Sequence, residues 1–433
     1  MTELDAATNA DGTRQVRQDC PECGAAVVKN ERFVTWCLAC DWNADPGAPE
    51  PEPGRLDAAR RKLARRHGEQ LYTELSQGGE LRPHRDLISV LAQVVALAVH
   101  AVTAALAVAG VLLVVLGWST VVQPVCGLAL ILLAVGLRPR FMRFPEGGVP
   151  LHRTDAPALF GLIDRVAESV GTRGVDVVLV DASANAAVTA WGIRRRRLLF
   201  LGLCLWEPLA PQERIALLGH ELGHYANGDI RHGAVIAPAF ESLSFWYSAL
   251  APTSRPTLQQ TLVDWALALP RWMVIGTALL LDHLTLRATQ RGEYLADRKG
   301  ARAGSSEAAV ALMDRLSASS AVEDELRRLS VAARSRSRGR DARTVGPELW
   351  ERVVDHTASV PEHERERLRR VSVRRGHSVN STHPPTHLRR QLLAESEPCA
   401  AEVVADSATV EAVAAELAGA RAVVARAVVR GLG

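Results

Sequence analysis

The sequence predicts an α+β membrane protein that is mainly helical, with a small β-sheet, a transmembrane helical hairpin and an N-terminal ribbon. Three observations predict this architecture. The 51 residues from Leu87 to Leu137 contain no Asp, Glu, Lys or Arg, whereas one membrane span needs only about 20 apolar residues. Two CxxC pairs stand near the N-terminus, and helix-like and strand-like patterns alternate after residue 138.

Length and composition exclude several classes of protein. A chain of 433 residues has room for about two to three domains. Hydrophobic residues make up 48% of the chain and charged residues 23%, which excludes wholesale disorder. The net charge is only +3, so the protein is not expected to be a dedicated nucleic-acid binder.

Residues 1–45 are predicted to contain a zinc ribbon. Two CxxC pairs are separated by 13 residues and consist of Cys20, Cys23, Cys37 and Cys40. This spacing is typical of a closed structural zinc site with four thiolates. The alternative is a redox role for either pair, which no surrounding βαβ pattern supports. Trp36 and Trp42 are expected to pack the ribbon; stacking on nucleic acid is the weaker interpretation, because the segment is not strongly basic.

Residues 46–86 are predicted to form a linker and a basic helix, and residues 87–137 a transmembrane hairpin with spans at 88–116 and 125–137. The hairpin is flanked by Arg82, Arg85, Arg138, Arg140 and Arg143. By the positive-inside rule both ends are cytoplasmic. The sequence therefore predicts a multi-pass protein of the cell membrane whose N-terminus and main domain are cytoplasmic. The alternative, a hairpin buried in a soluble protein, is disfavoured by the uncharged length.

Residues 138–395 are predicted to form the main domain, and residues 396–433 a C-terminal helix. The patterns predict helices at 155–170 and 211–227 and strands at 175–180, 185–191 and 197–203. Two further apolar segments, 234–251 and 265–286, contain charged residues. Each of them crosses the membrane, lies at its surface or forms ordinary core, and the sequence leaves these three interpretations open.

The predicted helix 211–227 contains the motif His220-Glu221-Leu222-Gly223-His224. Residues four apart lie on one face of a helix, so both imidazoles can reach one metal ion. Glu221 lies beside them, within reach of a metal-bound water. The alternative is a pair of surface histidines on an amphipathic helix.

A catalytic zinc with three protein ligands needs one more ligand. The downstream candidates are Asp229, His232, Glu241, Asp282, His283, Glu293 and Asp297. Glu293 and Asp297 stand one helical turn apart, so that Glu293 could bind the metal while Asp297 holds a ligand histidine. The alternative is two solvated carboxylates on a helix.

These residues together resemble a known family. The sequence HELGH, the following Asn227-Gly228-Asp229, an apolar interval and ExxxD in GEYLAD closely resemble the HtpX-like membrane zinc endopeptidases. Those enzymes are gluzincins and are related to the CAAX prenyl endopeptidases. The resemblance extends to Asn185-Ala186 and to Ser381-Thr382-His383-Pro384-Pro385 with Arg389, and it covers about residues 85–395.

The resemblance implies a zincin-like metallopeptidase domain with one catalytic zinc, in addition to the structural zinc of the ribbon. His220, His224 and Glu293 would bind the catalytic zinc. Glu221 would act as the general base and later as the proton donor. Asp297 would support a ligand from behind.

The resemblance also implies how a substrate binds. Asn185 and Ala186 would begin an edge strand that pairs with an extended polypeptide. His383 and Arg389 either line the cleft or have a structural role. One departure is Ala187, where the family usually has a larger apolar residue, and it leaves the substrate preference open.

The resulting hypothesis is a membrane-anchored zinc endopeptidase with a cytoplasm-facing active site, which acts on unfolded or membrane proteins in quality control and contacts membrane lipid. The first alternative is a non-catalytic zinc-ribbon adaptor for a protein or RNA partner, which would need neither Glu221 nor Glu293. The second is a prenyl-protein protease, whose relatives have more spans than the two to four visible here. The sequence leaves the oligomeric state open.

Overall fold

The computed structural model describes residues 6–8, 14–29, 32–46, 55–79, 87–138, 144–145, 147–192, 194–252, 257–337, 347–375 and 383–431. Most of the predicted linker lies outside the described residues. So do Arg82, Arg85, Arg140 and Arg143 of the flanking arginines, together with Ser381-Thr382.

The N-terminal segment forms a three-stranded antiparallel sheet with the order β1 (Ala6–Thr8), β2 (Arg14–Asp19) and β3 (Ala26–Lys29). Each CxxC pair forms the same kind of turn. The Gly24 amide donates to the Cys20 carbonyl at 2.9 Å, and the Asp41 amide donates to the Cys37 carbonyl at 2.9 Å. These two turns bring the four cysteines to one place.

Three helices follow: α1 (Arg55–Ser76), α2 (Leu87–Leu116) and α3 (Val122–Leu137). α2 is long and apolar enough to cross a membrane, and α3 is a shorter apolar helix. The two helices approach closely at a pair of glycines, since a Cβ added to Gly110 would lie 2.7 Å from the Gly127 carbonyl oxygen. Many large apolar side chains on both helices are exposed, as is suitable for contact with lipid.

A four-stranded sheet and one helix between its strands come next in the chain. The elements are β4 (Val149–Leu151), α4 (Pro157–Ser169), β5 (Val177–Asp181), β6 (Ala186–Trp191) and β7 (Arg196–Gly202). The strand order is β4-β5-β7-β6, with β5 and β7 parallel and the other pairs antiparallel. β6 is therefore an edge strand. Each predicted element in this region lies within two residues of its observed bounds.

The next helices carry the HExxH motif and the later carboxylates. They are α5 (Leu203–Trp206), α6 (Pro211–Asn227), α7 (Asp229–Ala249), α8 (Leu258–Ala266) and α9 (Ala268–Gly304). α9 has 37 residues and joins the apolar segment after residue 268 to Glu293 and Asp297 on one continuous helix. The chain bends by 44° between α8 and α9, and the two helices together form a second candidate span.

The remaining helices are α10 (Ser306–Ser317), α11 (Ser319–Ser337), α12 (Pro347–Ser359), α13 (Glu362–Arg375), α14 (Thr386–Glu395) and α15 (Ser407–Arg430). α15 packs on α4, where Glu416 accepts hydrogen bonds from the amides of Ala158 and Leu159 at 2.7 and 2.9 Å. The carboxylate thus caps the positive end of α4. The main core joins the four-stranded sheet to α4, α6, α10 and α15, and a smaller core joins α2, α7 and α9.

Candidate functional site

Helix α6 carries both histidines of the HExxH motif on one face. Pro211 stands in its first turn, and the Glu213 carboxylate accepts a hydrogen bond from the Ala210 amide at 2.9 Å, which fixes the start of the helix. The rings of His220 and His224 have centroids 5.0 Å apart. The helical placement that the sequence predicts for the motif is therefore the observed one.

Two glycines let α9 approach α6 closely. A Cβ added to Gly219 would lie 2.7 Å from the Cβ of Ala303, and one added to Gly223 would lie 3.1 Å from the Cα of Ala296. A larger side chain at either position would push the two helices apart, because the helices have no free space between them there. The glycines of the motif thus bring the carboxylates of α9 to the histidines.

Glu293 of α9 completes a set of three donor groups. Its carboxylate oxygens lie 3.6 Å from Nε2 of His220 and 3.6 Å from Nε2 of His224, and one ligand atom from each residue falls within 4.8 Å of the others. The buried Oε2 of Glu293 lies 3.1 Å from Nδ1 of His383 and 3.4 Å from Nη1 of Arg389, and a metal ion between the carboxylate and the two histidines would be a further partner. Two imidazoles and one carboxylate are a donor set of catalytic zinc sites, so these residues fit zinc.

A carboxylate holds each histidine from behind. Oδ1 of Asp297 lies 2.9 Å from Nδ1 of His220, and Oδ2 of Asp229 lies 2.9 Å from Nδ1 of His224. Carboxylates in this position fix the ring orientation, so that the other nitrogen faces the metal. The sequence suggests this role for Asp297 but offers Asp229 only as a third ligand. Gly292 makes room for it, because a Cβ there would lie 3.0 Å from Asp229 Oδ2.

Arg389 and His383 differ in how far their side chains are exposed to solvent. Arg389 is 1% exposed and donates two hydrogen bonds to Asp297, at 2.6 and 2.8 Å. A guanidinium this deeply buried is placed to support Asp297 and His220 from behind. His383 lies nearer the surface, with its Nδ1 3.1 Å from Oε2 of Glu293 and its side chain 20% exposed. Of the two roles left open for this pair, the geometry favours the structural one for Arg389 and the cleft for His383.

The electrostatic environments of Glu221 and His224 differ. Burial raises the pKa of the Glu221 carboxyl above its ordinary value, although the two neighbouring histidines act in the opposite direction. Burial lowers the pKa of His224, but the carboxylates of Glu293 and Asp229 outweigh this effect and raise that pKa to about 9. A carboxyl with a raised pKa beside a metal site is suited to exchange protons near neutral pH.

The predicted substrate strand lies beside α6. Asn185 is exposed and accepts a hydrogen bond from the Gly202 amide at 3.0 Å, and Ala186 begins β6. Among the described strands, β7 alone pairs with β6. The Tyr225 hydroxyl of α6 donates to the Thr189 carbonyl of this strand. Within the described part of the chain, one side of β6 next to the HExxH helix therefore has no strand partner.

The four cysteines of the N-terminal segment, which we call the ribbon, form a second cluster. Sγ of Cys20 lies 3.6 Å from that of Cys40, and Sγ of Cys23 lies 3.5 Å from that of Cys37. All four sulfur atoms lie within 4.8 Å of one another, and all four cysteines are free. The contacts run between the two CxxC pairs, which suits four ligands around one ion better than a disulfide within a pair.

The ribbon is docked on helix α13. The ring of Trp36 stacks on His363 with centroids 4.7 Å apart, and the Asp41 carboxylate accepts hydrogen bonds from Arg370 and Arg374 at 2.6 and 2.7 Å. Trp36 is 0% exposed. The weaker sequence interpretation, in which this ring stacks on nucleic acid, is therefore wrong for Trp36.

The remaining candidate ligands either are not part of this cluster or have side chains outside the described residues. Among the described residues, the clusters that could hold a metal include neither Glu241 nor Asp282 nor His283. The ring of His283 instead faces His67 of α1, with centroids 6.0 Å apart. The side chain of His232 lies outside the described residues.

Comparisons with known proteins agree with this geometry. The sequence model of Peptidase family M48 matches residues 155–397, which is more than half of the 433-residue chain. Protease HtpX of Pseudomonas putida (strain GB-1) is 24% identical over 165 residues, which is 36% of this chain and 55% of that protein. Protease HtpX of Haemophilus ducreyi (strain 35000HP / ATCC 700724) is 23% identical over 166 residues, or 36% and 57% of the two chains.

The chain thus spans about half the length of the curated relatives it matches. No solved structure matches it. Because the matched region contains the HExxH helix, the later ExxxD carboxylates and Arg389, the family assignment and the geometry of the site rest on the same residues. The chain belongs to peptidase family M48.

Proposed function

We propose that this chain is a membrane-anchored zinc endopeptidase. The observation that carries the proposal is the convergence of His220, His224 and Glu293 from two helices, with the buried Glu221 beside them. Membership of peptidase family M48 and relatives named Protease HtpX support the same chemistry. A non-catalytic adaptor would have no need for a buried glutamate of raised pKa next to three metal ligands.

Each residue of the site has its own role in peptide hydrolysis. Bound zinc would supply Lewis-acid chemistry that activates water and polarises the peptide carbonyl. Glu221 takes the proton from the attacking water and passes it to the leaving nitrogen. Asp297 and Asp229 keep the two imidazoles oriented, and Arg389 keeps Asp297 in place.

The substrate is an extended polypeptide. The open edge of β6 offers backbone groups that can pair with a segment in strand conformation. A folded protein keeps its backbone groups internally bonded, whereas an unfolded chain or a released membrane segment has them free. This difference favours damaged or unfolded membrane proteins as substrates, and quality control as the setting.

The orientation follows from the charges around α2 and α3. Both flanks of this apolar pair are rich in arginine, which supports a cytoplasmic position for both ends. We expect reporter fusions at residues 60 and 150 to give cytoplasmic signals together. A signal from the opposite side of the membrane at either position would contradict the orientation of the active site and of the ribbon.

Removal of the metal tests the activity itself. The purified chain in detergent is expected to cleave casein, to stop when a chelator removes its zinc, and to recover when zinc is returned, because the three ligands leave a position open for catalysis. The comparison is the same protein carried through chelation without the metal being added back. Cleavage that continues in the metal-free protein would sink the proposed function.

A further inference from the structure

Helix α1 carries a dense group of positive charges that the proposed catalysis does not use. Its first twelve residues, 55–66, contain six basic residues and one acidic residue. Arg61, Lys62, Arg65 and Arg66 are all exposed and share one side of the helix, where Glu69, 3.8 Å from Arg65, offsets one of the four charges. We call these four side chains the basic face.

A second face of α1, adjacent to Arg61, is fixed to the body of the protein. Ala64, Gly68, Leu71 and Leu75 form a buried stripe. The Gln290 side chain of α9 donates to the Ala64 carbonyl at 2.9 Å, and a Cβ added to Gly68 would lie 3.0 Å from the ring of Pro385. These contacts set the rotation of the helix and hold the basic face outward.

Helix α1 crosses α9 at the point where the exposed apolar surface of α9 ends. The last exposed large apolar side chain of α9 is Leu280, and the next exposed side chains, His283 and Arg287, are polar. His283 faces His67 of α1, and Arg287 forms an ion pair with Glu74 of α1 at 3.1 Å. Helix α1 therefore lies directly on the polar side of this boundary.

We propose that the basic face of α1 binds the headgroups of anionic phospholipids. Clusters of cations beside an apolar helix bind anionic membrane surfaces, and guanidinium groups match phosphate geometry. A net charge of only +3 for the whole chain means that the attraction is local to this helix and not a general affinity for polyanions. The proposal rests on the membrane anchoring in the proposed function, with α9 as part of the second candidate span, and it adds the lipid class that the cytoplasmic surface recognises.

Photo-crosslinking in nanodiscs tests the contact. In one variant of the complete chain, benzoylphenylalanine replaces Gln70, one turn after Arg66. In the comparison variant it replaces Glu307. Both native side chains are exposed. Glu307 follows the far end of α9, about 36 Å along that helix from Leu280. The label at position 70 is expected to crosslink to radiolabelled phosphatidylglycerol but not to phosphatidylcholine, and the label at position 307 to neither.

We expect the yield of the lipid crosslink to depend on the charges of the basic face. Arg61→Gln, Lys62→Gln, Arg65→Gln and Arg66→Gln together are expected to abolish the crosslink, since each cation contributes on the order of fivefold to the docking equilibrium. The matched variant Arg327→Gln/Arg328→Gln, which removes exposed arginines from α11, should leave it unchanged. Raising the salt concentration should weaken the crosslink of the otherwise unaltered chain.

Equal crosslinking to both lipids, or no effect of charge removal and salt, would overturn the proposal. A crosslink to an added oligonucleotide or acidic polypeptide, with none to phosphatidylglycerol, would assign the basic face to a macromolecular partner instead. Zinc content and casein cleavage are measured on the same samples in detergent. Their loss would contradict the proposed peptidase without affecting the lipid result.

Discussion

The Glu221→Gln variant is expected to keep its zinc and its fold while its rate of peptide cleavage falls by about 10²–10⁴-fold or more. The amide has nearly the same shape as the carboxylate but cannot accept a proton. Both histidines and Glu293 remain, so the metal should stay bound. The measurement is the initial rate of casein cleavage at equal protein concentration, with zinc content determined on the same preparation.

Glu213→Gln supplies the matched control. Glu213 is also a buried glutamate of α6, two turns before Glu221, and its carboxylate caps the start of the helix. Its amide variant should cleave casein at close to the normal rate, with at most a small loss of stability. Near-normal cleavage by the Glu221→Gln protein would show that another group acts as the base and would refute the mechanism.

The Glu293→Ala variant is expected to lose the catalytic zinc altogether. We expect two zinc ions per chain, one at the histidine site and one at the cysteine cluster, so that the variant should contain one. The change removes one of three protein ligands and leaves the buried Arg389 with one carboxylate fewer, since its Nη1 lies 3.4 Å from Glu293. Elemental analysis of purified protein measures the count, and cleavage should disappear with the metal.

Two further variants separate the contributions of Asp297 and of the cysteine cluster to zinc binding. Asp297→Asn should weaken zinc binding by about 10–100-fold but not abolish it, because it alters a support of His220 and removes no ligand. Asparagine is preferred to alanine, since its side-chain oxygen can still accept a hydrogen bond from the buried Arg389. Cys20→Ser should lose the other zinc and keep the catalytic one. A count of two zinc ions in the Glu293→Ala protein, or an imidazole of His232 or His283 on the metal, would refute the ligand assignment.

The local elements of the main domain could be predicted because they depend on short-range patterns. The three strands and the α6 helix follow from alternating or helical spacing of apolar residues, and their bounds differ from the predicted ones by at most two residues. The apolar segment at 265–286 is divided between α8 and the 37-residue α9, because Pro270 can stand in the first turn of α9 but not within a helix that continues from α8. Helix α9 then extends beyond this segment, through charged residues, to Gly304.

The roles of Asp229 and Arg389 could not be predicted from their neighbours in the chain. Asp229 follows His224 by five residues and looks like a possible ligand, yet its contact with Nδ1 depends on the space left by Gly292 of another helix. Arg389 is a cation in a polar stretch, a type of residue that is usually exposed. Its burial depends on Asp297, which is 92 residues away in the chain.

The sequence by itself determined the chemistry that this protein can carry: an HExxH helix, a later pair of carboxylates, four cysteines in two pairs and a long uncharged segment. Each of these signals is a spacing of residue types, and spacing within a helix or turn fixes local geometry. Only the tertiary structure decided which carboxylate reaches the histidines, what supports each ring, where the ribbon docks and which way α1 faces. Those outcomes depend on close packing between elements that are distant in sequence, and local spacing contains no information about such contacts.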